Sequence, residues 1–291
     1  MKVVFHIGAH CTDDGQLVGT LLKNRARLAE AGAVVAYPGR YRTLLRETLQ
    51  ALDGAPAPAE LQQTLLDSIV DEDAVGRLVL SNEHFLGTTA RALGAGQLYP
   101  MAEARAGALC NLFPGAVCEF HLAIRNPAAF LPAVFGRLRD IDYGSFTAGT
   151  DPLTLRWSDM VGRLRAGAPG VPLTVWCDED TPLIWPEVLR GVAGAGPEME
   201  LVGENGRLAE VMTREGLQRL DAYLQARPPA DAGMRRRITA AFLDKFARDE
   251  ALEEELELPG WTHAYVEALT AAFEADLAVI AGMDGVTFLS A

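Results

Sequence analysis

No Cys-x-x-Cys pair occurs in the chain. Its 4 cysteines, Cys11, Cys110, Cys118 and Cys177, form no close pair in 291 residues, so a zinc ribbon or a thioredoxin-type redox motif has no support. Cys110 and Cys118 sit in apolar stretches and read as small buried hydrophobes. Positive charge is scarce too: 26 Lys and Arg stand against 39 Asp and Glu, a formal net charge of -13. A sequence-independent nucleic-acid binder needs the opposite balance, because cations must neutralise the phosphates. Docking on an anionic membrane needs it as well. No run of about 18 apolar residues is present, so no membrane span is expected. The first apolar stretch is broken by His6, His10, Asp13 and Asp14, which fits no signal-peptide core. The composition points to an acidic, cytoplasmic protein that charge keeps apart from its neighbours. A Walker loop, GxxxxGK[ST], is also missing: Gly8 and Gly15 are too far apart, and Gln16-Leu17 follow where Lys and a hydroxyl residue would stand.

What the chain does have is apolar content, 49% of its residues, ample for one full core. Lys2 to Ile7 is rich in Val, Phe and Ile without alternation, the pattern of a strand buried on both faces. Similar strands are expected at 33–36, 77–80, 116–124, 171–177 and 286–289. Between them the apolar spacing predicts helices at 16–31, 41–52, 59–70, 101–112, from Pro127 onward, and at 153–166, 185–193, 208–226, 235–256 and 262–281. Strands alternating with helices imply an α/β fold, a parallel sheet flanked by helices. The whole chain, 1–291, reads as one domain, with a helical subregion at 234–283. Trp157, Trp176, Trp185 and Trp261 read as core or interface anchors. The triplet Arg235-Arg236-Arg237 and the acidic run Asp249 to Glu257 read as one solvated helix face.

The stretch VVFHIGAHCTDDGQ (3–16) stands out as strand, tight loop and helix start, the place where many α/β proteins hold a phosphate. The longer string HIGAHCTDDGQLVGTLLKNRARLAEAGAVVAYPG resembles the opening of the bacterial sulfotransferases that use 3′-phosphoadenylyl sulfate (PAPS). His6-Ile7-Gly8, Asn24, Gly32 and Tyr37-Pro38-Gly39 match that family's pattern. LVLSNEHF (78–85) is similar to its strand ending in Ser-x-Glu. AIRNPAAFLPAVF (123–135) is similar to the segment whose Arg-x-Pro grips the donor's 3′-phosphate, with Arg125 and Pro127 in place. LTVWCDED (173–180) and the closing helix with GVTFL (285–289) follow in order. The resemblance implies a sulfotransferase-like, P-loop-type architecture with extra C-terminal helices, and PAPS as the family's donor. It implies donor contacts from Gly8, His10, Cys11, Thr12, Asp13, Asp14, Gly15 and Arg125. The loop departs from the family: Cys11 stands at the Lys position, Asp13 at the Gly position and Asp14 at a Thr position. The Ser expected eight residues after the Arg is Ala133.

Those departures matter physically. A phosphate loop works by presenting backbone N–H groups, a helix N-terminus and a lysine, all positive. Two aspartates reverse that sign. At about 4 Å and an effective dielectric near 20, two unit charges interact by roughly 4 kcal/mol. Asp13 and Asp14 can instead cap the following helix, or hold a hard cation through oxygen ligands. In an open parallel sheet the cleft lies beyond the carboxyl ends of the strands. There Cys11, Asp13, Asp14, Glu83, His84, Arg125 and the triplet Asp178 to Asp180 would meet in a mostly acidic cleft. Glu83 and His84 are the candidate general bases, or else cap residues after a strand. Cys11 near a helix N-terminus is a candidate nucleophile, opposed by its acidic neighbours. His6, His10 and Asp13 form a conceivable metal set, against which His6 reads as a core residue of its strand. Arg125 either binds an anion or pairs with nearby carboxylates.

Three functions stay open on this reading. The first is a sulfotransferase-like protein impaired in PAPS binding, a non-catalytic or divergent homologue with a small-molecule or protein partner. The second is an active transferase with a rebuilt phosphate loop. The third is an enzyme of another class that uses the acidic cleft with a divalent cation or Cys11.

Overall fold

The computed structural model describes residues 1–72, 75–248, 251 and 258–291. Strands β1 (Lys2–His6), β2 (Ala33–Val35), β3 (Arg77–Ser81), β6 (Val117–Ile124), β7 (Leu173–Cys177) and β8 (Val286–Leu289) form one sheet in the order β2-β3-β1-β6-β7-β8. Every neighbouring pair is parallel. The first strand is therefore central, and the loop that leaves it opens at the carboxyl edge of the sheet. The strands lack alternation because both faces are covered. Val3 and Phe5 join the core on one face and Val4 the core on the other.

Helices α1 (Gln16–Lys23), α2 (Arg25–Glu30) and α9 (Thr181–Ala193) cover the second face, where Leu17, Leu21, Trp185 and Leu189 are buried together. The first face carries α3 (Pro38–Leu52), α4 (Ala59–Ile69), α5 (Ala102–Asn111), α6 (Pro127–Gly136), α7 (Tyr143–Thr147) and α8 (Trp157–Gly167). Helices α5 and α8 cross closely because glycine allows it: a Cβ on Gly167 would lie 1.9 Å from the Glu103 carbonyl oxygen. The arrangement is an α/β fold with an all-parallel sheet flanked by helices, consistent with a Rossmann-like or P-loop-type layout.

Several expected helices are divided, each by a polar side chain. The helix expected at 16–31 breaks at Asn24. Its buried amide donates to Thr20 O and Val202 O, both at 2.9 Å, and its oxygen accepts the Val202 N–H at 2.8 Å. A side chain engaged with backbone in this way interrupts the helix. The helix expected at 208–226 is split into α10 (Leu208–Val211) and α11 (Arg214–Ala226), because Thr213 caps the second part through its hydroxyl. The short hairpin of β4 (Leu93–Gly94) and β5 (Gln97–Leu98) was not anticipated.

The helix expected at 235–256 is described only as α12 (Ala232–Phe246); most of the acidic run 249–257 lies outside the described residues. The helical subregion expected at 234–283 is shared between two places. α12 packs with α10 and α11 around Leu208, Met212 and Leu220. α13 (His263–Ala281) instead joins the main core through Phe273 and Ile280. Its buried Asp276 accepts the N–H groups of Trp157 and Ser158, capping α8 from another helix. Trp157, Trp176 and Trp185 are buried and Trp261 is partly so. Among the described residues no helix is long and apolar enough to cross a membrane.

The amino edge of the sheet is fastened by one carboxylate. Glu119 receives Lys2 at 2.8 Å, Arg77 at 2.6 Å and His121 at 2.7 Å. Burial opposes its ionisation, but the hydrogen bonds from His121, Arg77 and Lys2 prevail and hold the carboxyl well below the usual range. Arg77 also donates to Val192 O and Gly191 O, tying α9 to the same point. Removing one member of a half-buried ion cluster leaves the others unpaired. Glu119→Gln is therefore expected to lower the unfolding free energy at pH 7 by about 3 kcal/mol in urea denaturation. A carboxyl depressed by folding stabilises above its unfolded pKa and loses that contribution as pH falls. The gap between wild type and variant should shrink below about pH 4.

Candidate functional site

The loop from Ile7 to Gly15 leaves the central strand and enters α1. Cys11, Asp14 and Gly15 take left-handed φ values of 62°, 48° and 83°, a conformation that only glycine adopts at no steric cost. Gly8 is required by close approach: a Cβ there would lie 2.9 Å from His6 Nε2. His6 is buried. Its Nδ1 pairs with Ser81 Oγ at 2.9 Å, its ring stacks on Trp176, and burial keeps it neutral.

Three arginines hold the loop. Arg125, which follows β6, donates through Nη1 to Cys11 O at 2.7 Å. Arg207, just before α10, donates through Nη2 to Thr12 O at 3.3 Å and to Asp178 Oδ1 at 3.4 Å, while its Nη1 reaches Glu210 at 2.8 Å. Arg137, at the end of α6, pairs with Asp14 and, at 3.4 Å, with Glu83. The Asp13 carboxylate accepts the Leu17 N–H at 2.9 Å and so caps α1. The two aspartates thus part company: one serves the helix, the other an arginine 123 residues along the chain.

The cleft is accordingly not the bare acidic one that the loop sequences suggested. It measures about 630 Å³ and is lined by Cys11, Thr12, Asp14, Arg125, Asp178 and Arg207, among others. Its carboxylates are engaged. Glu179 accepts the Asn126 N–H and the Cys177 S–H, both at 2.8 Å. Burial pushes Asp178 up to about 7, against the pull of the Arg207 charge. Among the described residues no group of three His, Cys, Asp or Glu side chains is placed to share a metal ion. Asp13, Asp14, His6 and His10 each have the partners named here.

His10 is buried within a directed chain. The Tyr99 hydroxyl accepts the His10 backbone N–H at 2.8 Å and lies 2.7 Å from His10 Nδ1. A buried hydroxyl needs an acceptor for its own proton, and Nδ1 is the one in reach. His10 therefore carries its proton on Nε2 and donates it to His84 Nδ1 at 2.9 Å. With Nδ1 of His84 accepting, its other ring nitrogen, Nε2, is the donor and lies 3.8 Å from Glu83 Oε1. Burial, with the nearby His84 and Arg137, lowers His10 to about 3. The polarity of the chain makes His84 a donor at its outer nitrogen. Accepting a proton there would require shifting the chain and stranding the Tyr99 hydroxyl proton. Glu83, the other candidate base, is tied to Arg137.

The structure brings Gly8, His10, Cys11, Thr12, Asp13, Asp14, Gly15, Glu83, His84 and Arg125 to one edge of the sheet, as the strand order requires. Sequence reasoning missed Tyr99, Arg137 and Arg207. Arg137 and Arg207 sit at helix boundaries with no local pattern around them, and Tyr99 follows a two-residue strand. No protein-family model, curated protein or solved structure matches the chain.

Burial pushes the Cys11 thiol up to about 11, although the Arg137 and Arg125 charges favour the thiolate. Alkylation of Cys11 by iodoacetamide should therefore be slow at pH 7 and accelerate only above about pH 10, read by mass spectrometry of the tryptic peptide. Rapid labelling at pH 6 would restore the nucleophile reading.

Proposed function

We propose that the chain is a divergent sulfotransferase-like protein whose donor loop is closed by its own arginines, and that it acts by binding rather than by sulfuryl transfer. The observation that carries this reading is the occupation of the loop carbonyls: Arg125 holds Cys11 O and Arg207 holds Thr12 O. Supporting it further, the loop sits on the central strand with a 2-3-1 order beside it, where a phosphate loop would stand.

PAPS would supply an activated sulfuryl group to such a fold, and the residues present do not fit it. At the position where the resemblance implies a lysine, Cys11 offers a neutral thiol. Ala133 has no hydroxyl for the 3′-phosphate. Arg137 is bound to Asp14 and Glu83, and Arg207 to Asp178 and Glu210. An incoming phosphate would have to displace these partners and then face the Asp14 carboxylate. The direction of the Tyr99–His10–His84 chain favours the same view, since it presents a donor where proton removal from an acceptor hydroxyl needs a base.

The test follows the backbone amides of residues 11–15 by ¹⁵N–¹H NMR during titration with 3′-phosphoadenosine 5′-phosphate at low ionic strength. In the wild type these amides should stay in place up to about 1 mM ligand. In Cys11→Lys with Asp13→Gly and Asp14→Thr they should move saturably, with an affinity gain of at least about tenfold. Saturable movement of the wild-type loop amides at or below about 0.1 mM would overturn the reading.

A further inference from the structure

A second cavity opens on the other side of the loop, beyond the end of β3. It measures about 380 Å³, and its lining includes Arg42, Arg46, Arg91 and Arg105, with His84 beside them. Among the described residues no carboxylate lines it. In a chain with a formal net charge of -13, four guanidinium groups around one cavity, with no carboxylate among its described lining residues, are a marked departure from the average surface.

The local sequence explains how they gather. Arg42, Arg46 and Leu49 lie at i, i+4 and i+7 of α3 and so share one helical face. Asn82, His84 and Phe85 come from the turn after β3, where Asn82 Oδ1 accepts the His84 N–H at 3.1 Å. Arg91 lies in a short 3-10 turn, and Arg105 projects from α5. Leu49 and the buried Phe85 give the cavity an apolar wall.

The state of these arginines differs from that of the arginines on the donor loop. Arg137 and Arg207 are bound to carboxylates and carbonyls, and Arg125 to a carbonyl. Arg42 donates through Nε and Nη2 to Ser81 O at 3.2 and 3.1 Å and meets the Tyr41 hydroxyl, and among the described residues it makes no ion pair. Arg46 has an exposed carboxylate neighbour, Glu47, at 3.6 Å, a contact worth little in water. Arg91 and Arg105 make no ion pair or side-chain hydrogen bond among the described residues. Like charges collected without counter-charges repel one another unless an anion joins them. Guanidinium groups are also the side chains best shaped to take oxyanions by paired N–H donors. His84 adds a donor of fixed direction, because its Nδ1 is engaged by His10.

We infer that this cavity binds a small organic polyanion, a sugar- or ring-sized body carrying two or more phosphate, sulfate or carboxylate groups. The body lies against Leu49 and Phe85 while the charged groups meet the four arginines and His84. The inference gives a ligand class to the binding role proposed above and rests on that reading, but the cavity is distinct from the Cys11–Arg125–Arg207 cleft.

The test is isothermal titration calorimetry of the full chain with fructose 1,6-bisphosphate at low ionic strength, with fructose as the neutral control. The bisphosphate should bind with a Kd below about 1 mM and fructose should give no heat. Arg91→Ala with Arg105→Ala should weaken binding by at least about tenfold. Arg214→Ala with Arg219→Ala, the same charge change on α11, should leave it within about twofold. Arg91→Gln with Arg105→Gln serves as a second pair that keeps polar bulk if the alanine pair folds poorly. Equal weakening by the α11 pair and the cavity pair, or no saturable heat with wild type at about 10 mM, overturns the inference. Movement of the loop amides with the adenosine nucleotide, scored separately, would overturn the closed-loop reading while leaving a positive cavity result standing.

Discussion

The arrangement depends first on guanidinium groups gripping a loop by its carbonyl oxygens. A trans peptide unit points its C=O and the next N–H in opposite directions. When Arg125 takes Cys11 O and Arg207 takes Thr12 O, the N–H groups of Thr12 and Asp13 are turned away from those two arginines. A loop that cradles phosphate needs the reverse, N–H groups and cations converging on one point. The same sequence positions can build either state, and here the Nη groups of Arg125 and Arg207 are bound by the protein itself. Everything near the cleft conforms to that choice. Arg125 lies just before the Asn126 cap of α6, Arg137 ends α6, and Arg207 leads into α10. The left-handed residues Cys11, Asp14 and Gly15 supply the bends the grip requires.

Charge is then divided between two cavities on either side of the loop. On the α9 side the arginines and carboxylates meet in pairs, and the buried Asp178 is raised toward neutrality by burial despite its arginine. On the α3 side four arginines line a cavity with no carboxylate among its described lining residues. His84 belongs to both settings: its inner nitrogen is fixed by His10 and Tyr99, and its outer edge lines the α3 cavity. A net charge of -13 therefore describes the average surface and not the local potential.

Much of the fold was legible in the sequence for a plain reason. Strands buried on both faces are mostly apolar, so Val3 to Phe5, Leu78 to Leu80 and Leu122 to Ile124 announce themselves. Asp13 was legible too, because a cap acts on its own helix a few residues away. Breaks that depend on distant partners were not. Asn24 stops a helix by binding Val202, 178 residues on, and Arg207 reaches Thr12 across 195. Asp14 looked like its neighbour and behaves differently, because its partner Arg137 is placed by the fold and not by spacing. The α3 cavity was illegible for the same reason. Two of its arginines share a helical face that spacing could reveal, but Arg91 and Arg105 arrive from elements with no common pattern.

The most direct check of the closed loop is the stability of Arg207→Leu in equilibrium urea denaturation. An arginine held for a ligand can commonly be replaced with no loss of stability, or with a gain. An arginine that holds its own loop cannot, since its removal frees Thr12 O and breaks the ion pair with Asp178. The expected result is a loss of about 2 kcal/mol with an unchanged m-value. A change smaller than about 0.5 kcal/mol, or a gain, would contradict the claim that these arginines close the loop.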